Sequence, residues 1–313
     1  MKLQRQSKRL LVSSRAISLV SIIYGVQGFP VILSSRPRNK GKATSSTMEM
    51  VSAIQKVMIG DSEVQIRHQL FLGDIIVTEE EKTDLTGLKY WPTASEPMLQ
   101  YFQKQRQTQN YELVKKKERQ VILELGSGCG LLGIGLASLY KDDNLEHHII
   151  LTDAPVNFKA CTSSRNVTTK MIVQPLYPSS TLDWLSGNVE LNKHHYSKNR
   201  VTIAPLLWGN EVHLNTISSG LKAHPSSGAT GLVNMVIGSE LLYNNDASFV
   251  GLLETLLFFS EKNPALRILL GYKERHLGEA QFFDLAGPHF DWTKKRIGRR
   301  SNGIYLMEFF RRH

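Results

Sequence analysis

Short apolar runs alternate with amphipathic and small-residue stretches along most of residues 120–312. Val121 to Leu125 is the first run, and Gly126-Ser127-Gly128-Cys129-Gly130 follows it at once. Leu131 to Tyr140 then reads as a small-residue helix. His148 to Asp153 is a second run, Arg200 to Leu207 a third, Val233 to Tyr243 a fourth, Leu266 to Tyr272 a fifth and Gly303 to Phe310 a late one. Runs of this length bounded by turn residues read as buried strands. Asp246 to Glu261 carries Phe249, Leu252, Leu253, Leu256 and Leu257, the i, i+3, i+4 spacing of a helix, and Glu279 to Ala286 is another helical pattern. Strands alternating with helices predict an α/β fold with a doubly wound, mostly parallel sheet and helices on both faces. Ahead of it, Gln65 to Val77 alternates as a hairpin would, Val64-Gln65-Ile66 against Ile75-Ile76-Val77.

The glycine-rich turn carries the first chemical signal. Glycine there admits positive φ and lets a ligand approach the backbone without a Cβ in the way. A dinucleotide fingerprint is G-x-G-x-x-G/A, and its third small position falls here on Leu131. The third glycine comes early instead, at Gly130. That shorter form suits a cofactor with no phosphate between its sugar and its reactive end. Asp153 closes the second apolar run, where a carboxylate can accept both ribose hydroxyls, although Asp also caps helices. In an open sheet, ligands sit outside the carboxyl ends of the strands, where Gly126–Gly130, Asp153, Trp208 and Glu240 all fall.

With these residues in hand, the chain resembles the seven-β-strand, S-adenosylmethionine-dependent methyltransferases, in the branch called family-16 protein methyltransferases. Members of that branch modify mostly lysine and in one case histidine. The resemblance rests on Tyr90-Trp91-Pro92, the stretch Leu123 to Gly130, Thr152-Asp153, Gly187 to Asn192, Leu207-Trp208-Gly209 and Gly238 to Tyr243, in the family's order over about residues 85–312. It implies a seven-stranded Rossmann-like sheet, S-adenosyl-L-methionine as cofactor and a protein substrate. It further implies that Trp91 flanks the cofactor, that Gly126, Ser127 and Gly128 contact its amino-acid and sugar portion, and that Asp153 binds the ribose. Trp208 would lie beside the adenine and Ser239 would offer backbone near the adenosyl group. Glu240 and Tyr243 match the D-x-x-Y element beside the transferred methyl, with glutamate in place of aspartate. Read as isolated residues, Trp91 and Trp208 suit a core, Tyr243 a strand end, and Asn188 and Asn192 structural hydrogen bonding. Val156 to Ser186 is longer than the family's usual bridge and rich in Ser, Thr and Pro, as a surface insertion would be.

Composition narrows the partners. Of 38 Lys and Arg, nine lie in residues 1–48, where no acid stands, so the remainder carries 29 basic against 28 acidic residues. The near-neutral remainder lacks a general nucleic-acid signature. Lys294-Lys295-Arg296 is expected to be a solvated loop, with an acidic partner or RNA as the alternative. Cys129 and Cys161 give neither a disulfide framework nor a metal-ligand pattern, which fits a reducing compartment.

The basic, serine-containing start, with apolar Ala16 to Val26 broken by Gln27, Gly28 and Pro30, gives no membrane span. It fits a mitochondrial or plastid targeting segment, a signal peptide, or a disordered extension ahead of a start at Met48 or Met50. The location is then organellar if the segment is a signal and cytoplasmic if it is not. The expected organisation is an extension over 1–48, a hairpin or lid over 49–90 and a methyltransferase domain over 91–313, with 156–186 inserted. A monomer methylating a protein lysine is the leading expectation. Methylation of protein histidine, methylation of a small molecule, and a non-catalytic cofactor-binding assembly factor are the alternatives.

Overall fold

The computed structural model describes residues 20–24, 30–34, 51–70, 86–108, 119–143, 146–156, 180–196, 199–222, 231–242, 246–275, 278–299 and 303–312. The chain divides into two compact units, Met1–Met48 and Glu49–His313. Within the first, β1 (Val20–Tyr24) and β2 (Pro30–Ser34) pair antiparallel, Ile22 opposite Ile32.

The second unit opens with a hairpin, β3 (Val51–Ile59) and β4 (Ser62–Leu70), closed by a two-residue turn at Gly60 and Asp61. Val64-Gln65-Ile66 is therefore the second strand of a hairpin and pairs backwards, to Lys56 and its neighbours. The expected partner, Ile75 to Val77, lies outside the described residues. The sequence hides β3 because apolar residues occupy both phases of its alternation, Ala53, Val57 and Ile59 on one and Ile54 and Met58 on the other. Only one phase is buried, leaving Ile54 and Met58 exposed.

The main sheet is made of β5 (Val121–Leu125), β6 (His148–Asp153), β7 (Arg200–Pro205), β8 (Met235–Ser239), β9 (Arg267–Lys273), β10 (Phe290–Arg296) and β11 (Ile304–Arg311). Their order is β10-β11-β9-β8-β5-β6-β7, with β11 antiparallel to both neighbours and every other pair parallel. The expected seven-stranded, mostly parallel, doubly wound architecture is what forms. β5 is buried along its whole length, as a continuous apolar run in mid-sheet should be. From β5 the chain steps outward to β6 and β7, then returns across it to β8 and β9 on the other side. That reversal makes the β5/β8 boundary the topological switch point, the usual place for a ligand.

Helices α1 (Pro92–Gln107), α2 (Leu131–Leu139) and α3 (Thr181–Asn192) pack with the hairpin into one core. Helices α4 (Glu211–Lys222), α5 (Asp246–Lys262) and α6 (Glu279–Ala286) join a second core. α2 is buried on every side. A Cβ on Gly133 would fall 2.1 Å from Leu151, and one on Gly135 would fall 2.6 Å from Ile59 and 2.8 Å from Leu99. The two glycines thus let α2 lie close to the sheet beneath it and to the hairpin and α1 above it.

Of the stretch expected as an insertion, residues 181–186 are the first half of α3, capped by Ser180, whose hydroxyl accepts from Asp183 N at 3.1 Å. Residues 157–179 lie outside the described residues.

Among the strands and α-helices of the second unit, α4 and β10 were, like β3, absent from the sequence pattern. The Lys294-Lys295-Arg296 cluster belongs to β10, an edge strand and not a solvated loop. Its cations lie over aromatic rings, Lys294 Nζ 4.0 Å from the Tyr305 centroid and Lys295 Nζ 4.8 Å from that of Tyr101. No helix among the described residues is long and apolar enough to cross a membrane.

Candidate active site at the carboxyl ends of the sheet

The turn after β5 is built on three left-handed glycines, Gly126 (φ 58°), Gly128 (φ 52°) and Gly130 (φ 84°). Its scaffold is polar and internal. Glu124, buried at the end of β5, accepts from Gly133 N at 3.2 Å and takes a further hydrogen bond from the Ser127 hydroxyl. Burial pushes its carboxyl up to about 8, against the pull of those two bonds. Ser127 ties the turn to β6, its N–H donating to Thr152 O at 2.8 Å and its hydroxyl accepting from Thr152 N at 3.1 Å. The Ser127 side chain is thus committed to the scaffold.

Asp153 reaches back from the end of β6 to the same turn. Gly128 N donates to its Oδ2 at 2.6 Å and Ala154 N to its Oδ1 at 2.8 Å. The residue is half-buried, yet lost hydration is the largest influence on its carboxyl and raises it to about 6. Above the turn passes the 3-10 segment Thr86–Leu88, with Cys129 Sγ donating to Gly87 O at 3.6 Å and to Lys89 O at 3.5 Å. Burial pushes the Cys129 thiol up to about 12, so it serves as an inert strap.

Trp208 enters from the end of β7. Its Cζ2 lies 3.3 Å from where a Cβ on Gly126 would stand, so the indole passes across the first glycine. The Trp208-Gly209 bend is seated on α5, where a Cβ on Gly251 would come within 2.7 Å of Trp208 O and Gly209 N donates to Thr255 Oγ1 at 2.9 Å. Trp91 precedes α1, and its carbonyl accepts from Ser95 Oγ at 3.1 Å. Ser95 Oγ in turn lies 2.7 Å from Ser239 Oγ, which couples the start of α1 to the end of β8.

Glu240 follows β8 in the left-handed region at φ 59°, the only non-glycine residue there among the described residues. Its residue is 6% exposed. One carboxylate oxygen, Oε2, pairs with Arg275 Nη2, and the other, Oε1, is buried without a hydrogen-bond partner. Burial raises this carboxyl, opposed by the Arg275 guanidinium and by the Lys273 amide and charge. Leu241 then turns back to put its Cδ2 2.8 Å from the Cβ position of Gly126.

The ends of β5, β6, β7 and β8 therefore bring Gly126, Ser127, Gly128, Asp153, Trp208 and Ser239 to one switch point, with Glu240 beside them and Trp91 linked through Ser95. Tyr243 lies outside the described residues. A scan of protein families matches the lysine methyltransferase model (Methyltransf_16) over residues 72–186 and 177–288. The chain belongs to that family. Within it, the chain is 27% identical over 173 residues to a UPF0665 family protein of Schizosaccharomyces pombe, a match covering 55% of this chain and 39% of that protein. The chain thus spans well under half of that relative's length.

Among solved structures, the glycopeptide N-methyltransferase MtfA complexed with S-adenosylmethionine is similar, with 11% identity, 66% of this chain and 93% of that one covered, and a TM-score of 0.40. An rRNA methylase from Streptococcus thermophilus is also similar, with 9% identity, 62% and 88% covered, and a TM-score of 0.34.

Sequence reasoning missed Ser95, Glu124 as the scaffold of the turn, and Arg275. Glu124 was visible as the acid closing the first run. Arg275 sits in a polar Lys-Glu-Arg-His stretch that resembles any strand-end loop.

Proposed function

We propose that this family-16 methyltransferase uses S-adenosylmethionine to methylate a lysine side chain of a protein substrate. The observation that carries this reading is the meeting at one switch point of Asp153 on Gly128, Trp208 across Gly126, and Glu240 with a buried, unpartnered oxygen. The residues present fit the cofactor. A carboxylate offers about four lone-pair sites. Asp153 uses one oxygen for each of two backbone amides and keeps acceptors for a pair of ribose hydroxyls. Trp208 offers an aromatic face beside the turn. Ser127 contributes backbone, its hydroxyl being held by Thr152.

When bound, the cofactor supplies a methyl group on a positively charged sulfur. The chain's own residues supply alignment and exclude water, effects that can lower a barrier by roughly 7–11 kcal/mol. Glu240 Oε1 accepts a hydrogen bond from the incoming nitrogen and so fixes the direction of its lone pair. Tyr243 is assigned to the channel through which the side chain enters. The lysine target draws its support from the family's description.

Incubating the full-length chain with tritiated S-adenosylmethionine and a cell lysate tests this reading. Label is expected in protein and is expected to be recovered as methyllysine on amino-acid analysis. Asp153→Ala is expected to weaken cofactor binding in calorimetry by roughly tenfold or more. Glu240→Ala is expected to cut transfer roughly a hundredfold while cofactor affinity holds. Label confined to small molecules, or recovered on histidine, would overturn the lysine assignment.

A further inference from the structure

The ion pair between Glu240 and Arg275 bears on how a lysine can be a nucleophile in this site, and the argument rests on the methyltransferase reading above. Free lysine has a pKa near 10.4, so at neutral pH it arrives as an ammonium with no lone pair to give. A bare buried carboxylate would make this worse. It would hold the ammonium as an ion pair and lock the proton in place. Here the carboxylate is already partnered, Oε2 with Arg275 Nη2, and the Lys273 amide and charge also bear on it from the end of β9, while Oε1 is buried with no hydrogen-bond partner.

Arg275 is itself anchored. Its N–H donates to Glu279 Oε1 at 2.5 Å and its Nη1 to Lys273 O at 3.2 Å, on the stretch that leaves the carboxyl end of β9. Glu240 is held from the other side, its N–H donating to Gly271 O at 2.8 Å on that same strand. The pair thus spans the ends of two neighbouring strands, β8 and β9, with one acceptor oxygen left over.

We propose that Arg275 is a positioning residue that neutralises Glu240, so that Oε1 accepts one N–H from a neutral lysine amine and does not trap an ammonium. A cation beside the site is one of the standard ways to favour the free amine of a reactive lysine. The amine's proton leaves to water before the nitrogen docks. The nitrogen lone pair then forms the new N–C bond as the C–S bond breaks, its electrons staying on sulfur. Positive charge passes from the sulfonium to the methylammonium. That product cation now faces Arg275, which disfavours its retention.

The test is the pH dependence of labelling, from pH 6.5 to 9.5, of the protein band that the full-length enzyme marks in a lysate, for wild type, Arg275→Gln and Arg275→Lys. Wild type is expected to reach its plateau within this range. In Arg275→Gln the rising limb is expected to move up by about one pH unit or more, as removal of a nearby like charge should do. Arg275→Lys is expected to keep the wild-type limb.

A second readout needs no turnover. With S-adenosylhomocysteine bound, affinity of wild type for the purified band is expected to rise with pH, and that dependence is expected to be lost in Arg275→Gln. If Arg275→Gln does not fold by circular dichroism, Glu240→Gln reads the pair from its other member and is expected to bind the band without preference between its methylated and unmethylated forms. A limb that stays put in Arg275→Gln while the rate falls means a purely structural Arg275 and overturns the proposal, as does a shifted limb in Arg275→Lys. Wild type that labels no protein overturns the underlying methyltransferase reading instead.

Discussion

Gly130 and Gly187 both stand in family motifs, yet their surroundings demand glycine at only one of them. Gly130 leads into α2 at φ 84°, and a Cβ there would lie 2.6 Å from Leu185 and 2.9 Å from Ile134. Left-handed backbone alone costs an L residue about 1–2 kcal/mol, and crowding in a packed core adds a similar amount. Gly187 lies inside α3, its φ is not positive, and open space surrounds its Cβ position. Gly130→Ala is therefore expected to destabilise the protein by about 2–4 kcal/mol, whereas Gly187→Ala is expected to stabilise it by about 0.5–1 kcal/mol. Urea unfolding of the two variants side by side checks this, and shifts of the same sign would refute it. Glu240 occupies the same left-handed region without glycine's freedom. Strain of this kind persists where the surrounding structure needs a particular side chain.

At the scale of elements, α3 does more than cover the sheet. Trp184, Asn188 and Asn192 follow one another at four-residue spacing and line the edge of β4. Asn188 accepts from Arg67 N at 2.9 Å and donates to Arg67 O at 2.9 Å. Asn192 accepts from Gln65 N at 2.8 Å and donates to Gln65 O at 2.6 Å. Trp184 Nε1 adds a bond to Arg67 O at 3.0 Å. The two carboxamides imitate a neighbouring strand, and their periods agree because four helical residues and two strand residues both advance about 6 Å.

Asn188 also donates to Cys129 O in the glycine turn at 2.9 Å, which Asn192 does not. Leaving a buried polar group unpaired costs about 1–3 kcal/mol. Both Asn188→Ala and Asn192→Ala are accordingly expected to lower the melting temperature, and only Asn188→Ala to weaken cofactor binding, severalfold in calorimetry. Equal loss of affinity in the two would contradict the separate tie to the turn.

The same elements mark what the chain's own pattern discloses. β6 and α6 form over the residues where apolar runs and helical spacing place them, His148–Asp153 and Glu279–Ala286. Their signal is local. α4 escapes because its buried stripe is only Leu214, Ile217 and Leu221, while Val212, equally apolar, lies 72% exposed. The site divides in the same way. The glycine turn, Asp153, Trp208, Ser239 and Glu240 are legible because each ends an apolar run. Arg275 and Ser95 become partners of Glu240 and Ser239 only through the strand order, which sets β9 and α1 beside β8.

For the whole molecule, the two acids that brace the turn, Glu124 buried and Asp153 half-buried, make stability depend on pH in an unusual direction. Glu124 and Asp153 have ordinary values of 4.5 and 3.8, and folding raises them to about 8 and about 6. The native state therefore binds more protons than the unfolded chain between roughly pH 4 and 8, and stability must fall as pH rises through that window. Asp153 contributes its loss by about pH 6, and Glu124 goes on contributing to about pH 8.

His68 and His195 act oppositely, since burial lowers both from 6.5. Their effect ends once the unfolded histidines have lost their protons, just above that value. Between pH 7 and 8.5 Glu124 thus governs the slope among these groups, and linkage puts the expected loss at about 1 kcal/mol. Glu124→Gln isolates it. A glutamine has the shape of the protonated acid, its carbonyl able to accept from Gly133 N and its amide able to donate to the Ser127 hydroxyl. Urea unfolding at pH 7 and pH 8.5 is expected to show the loss in wild type and to show it abolished in Glu124→Gln. A slope that survives the substitution would place the responsible proton elsewhere in the molecule.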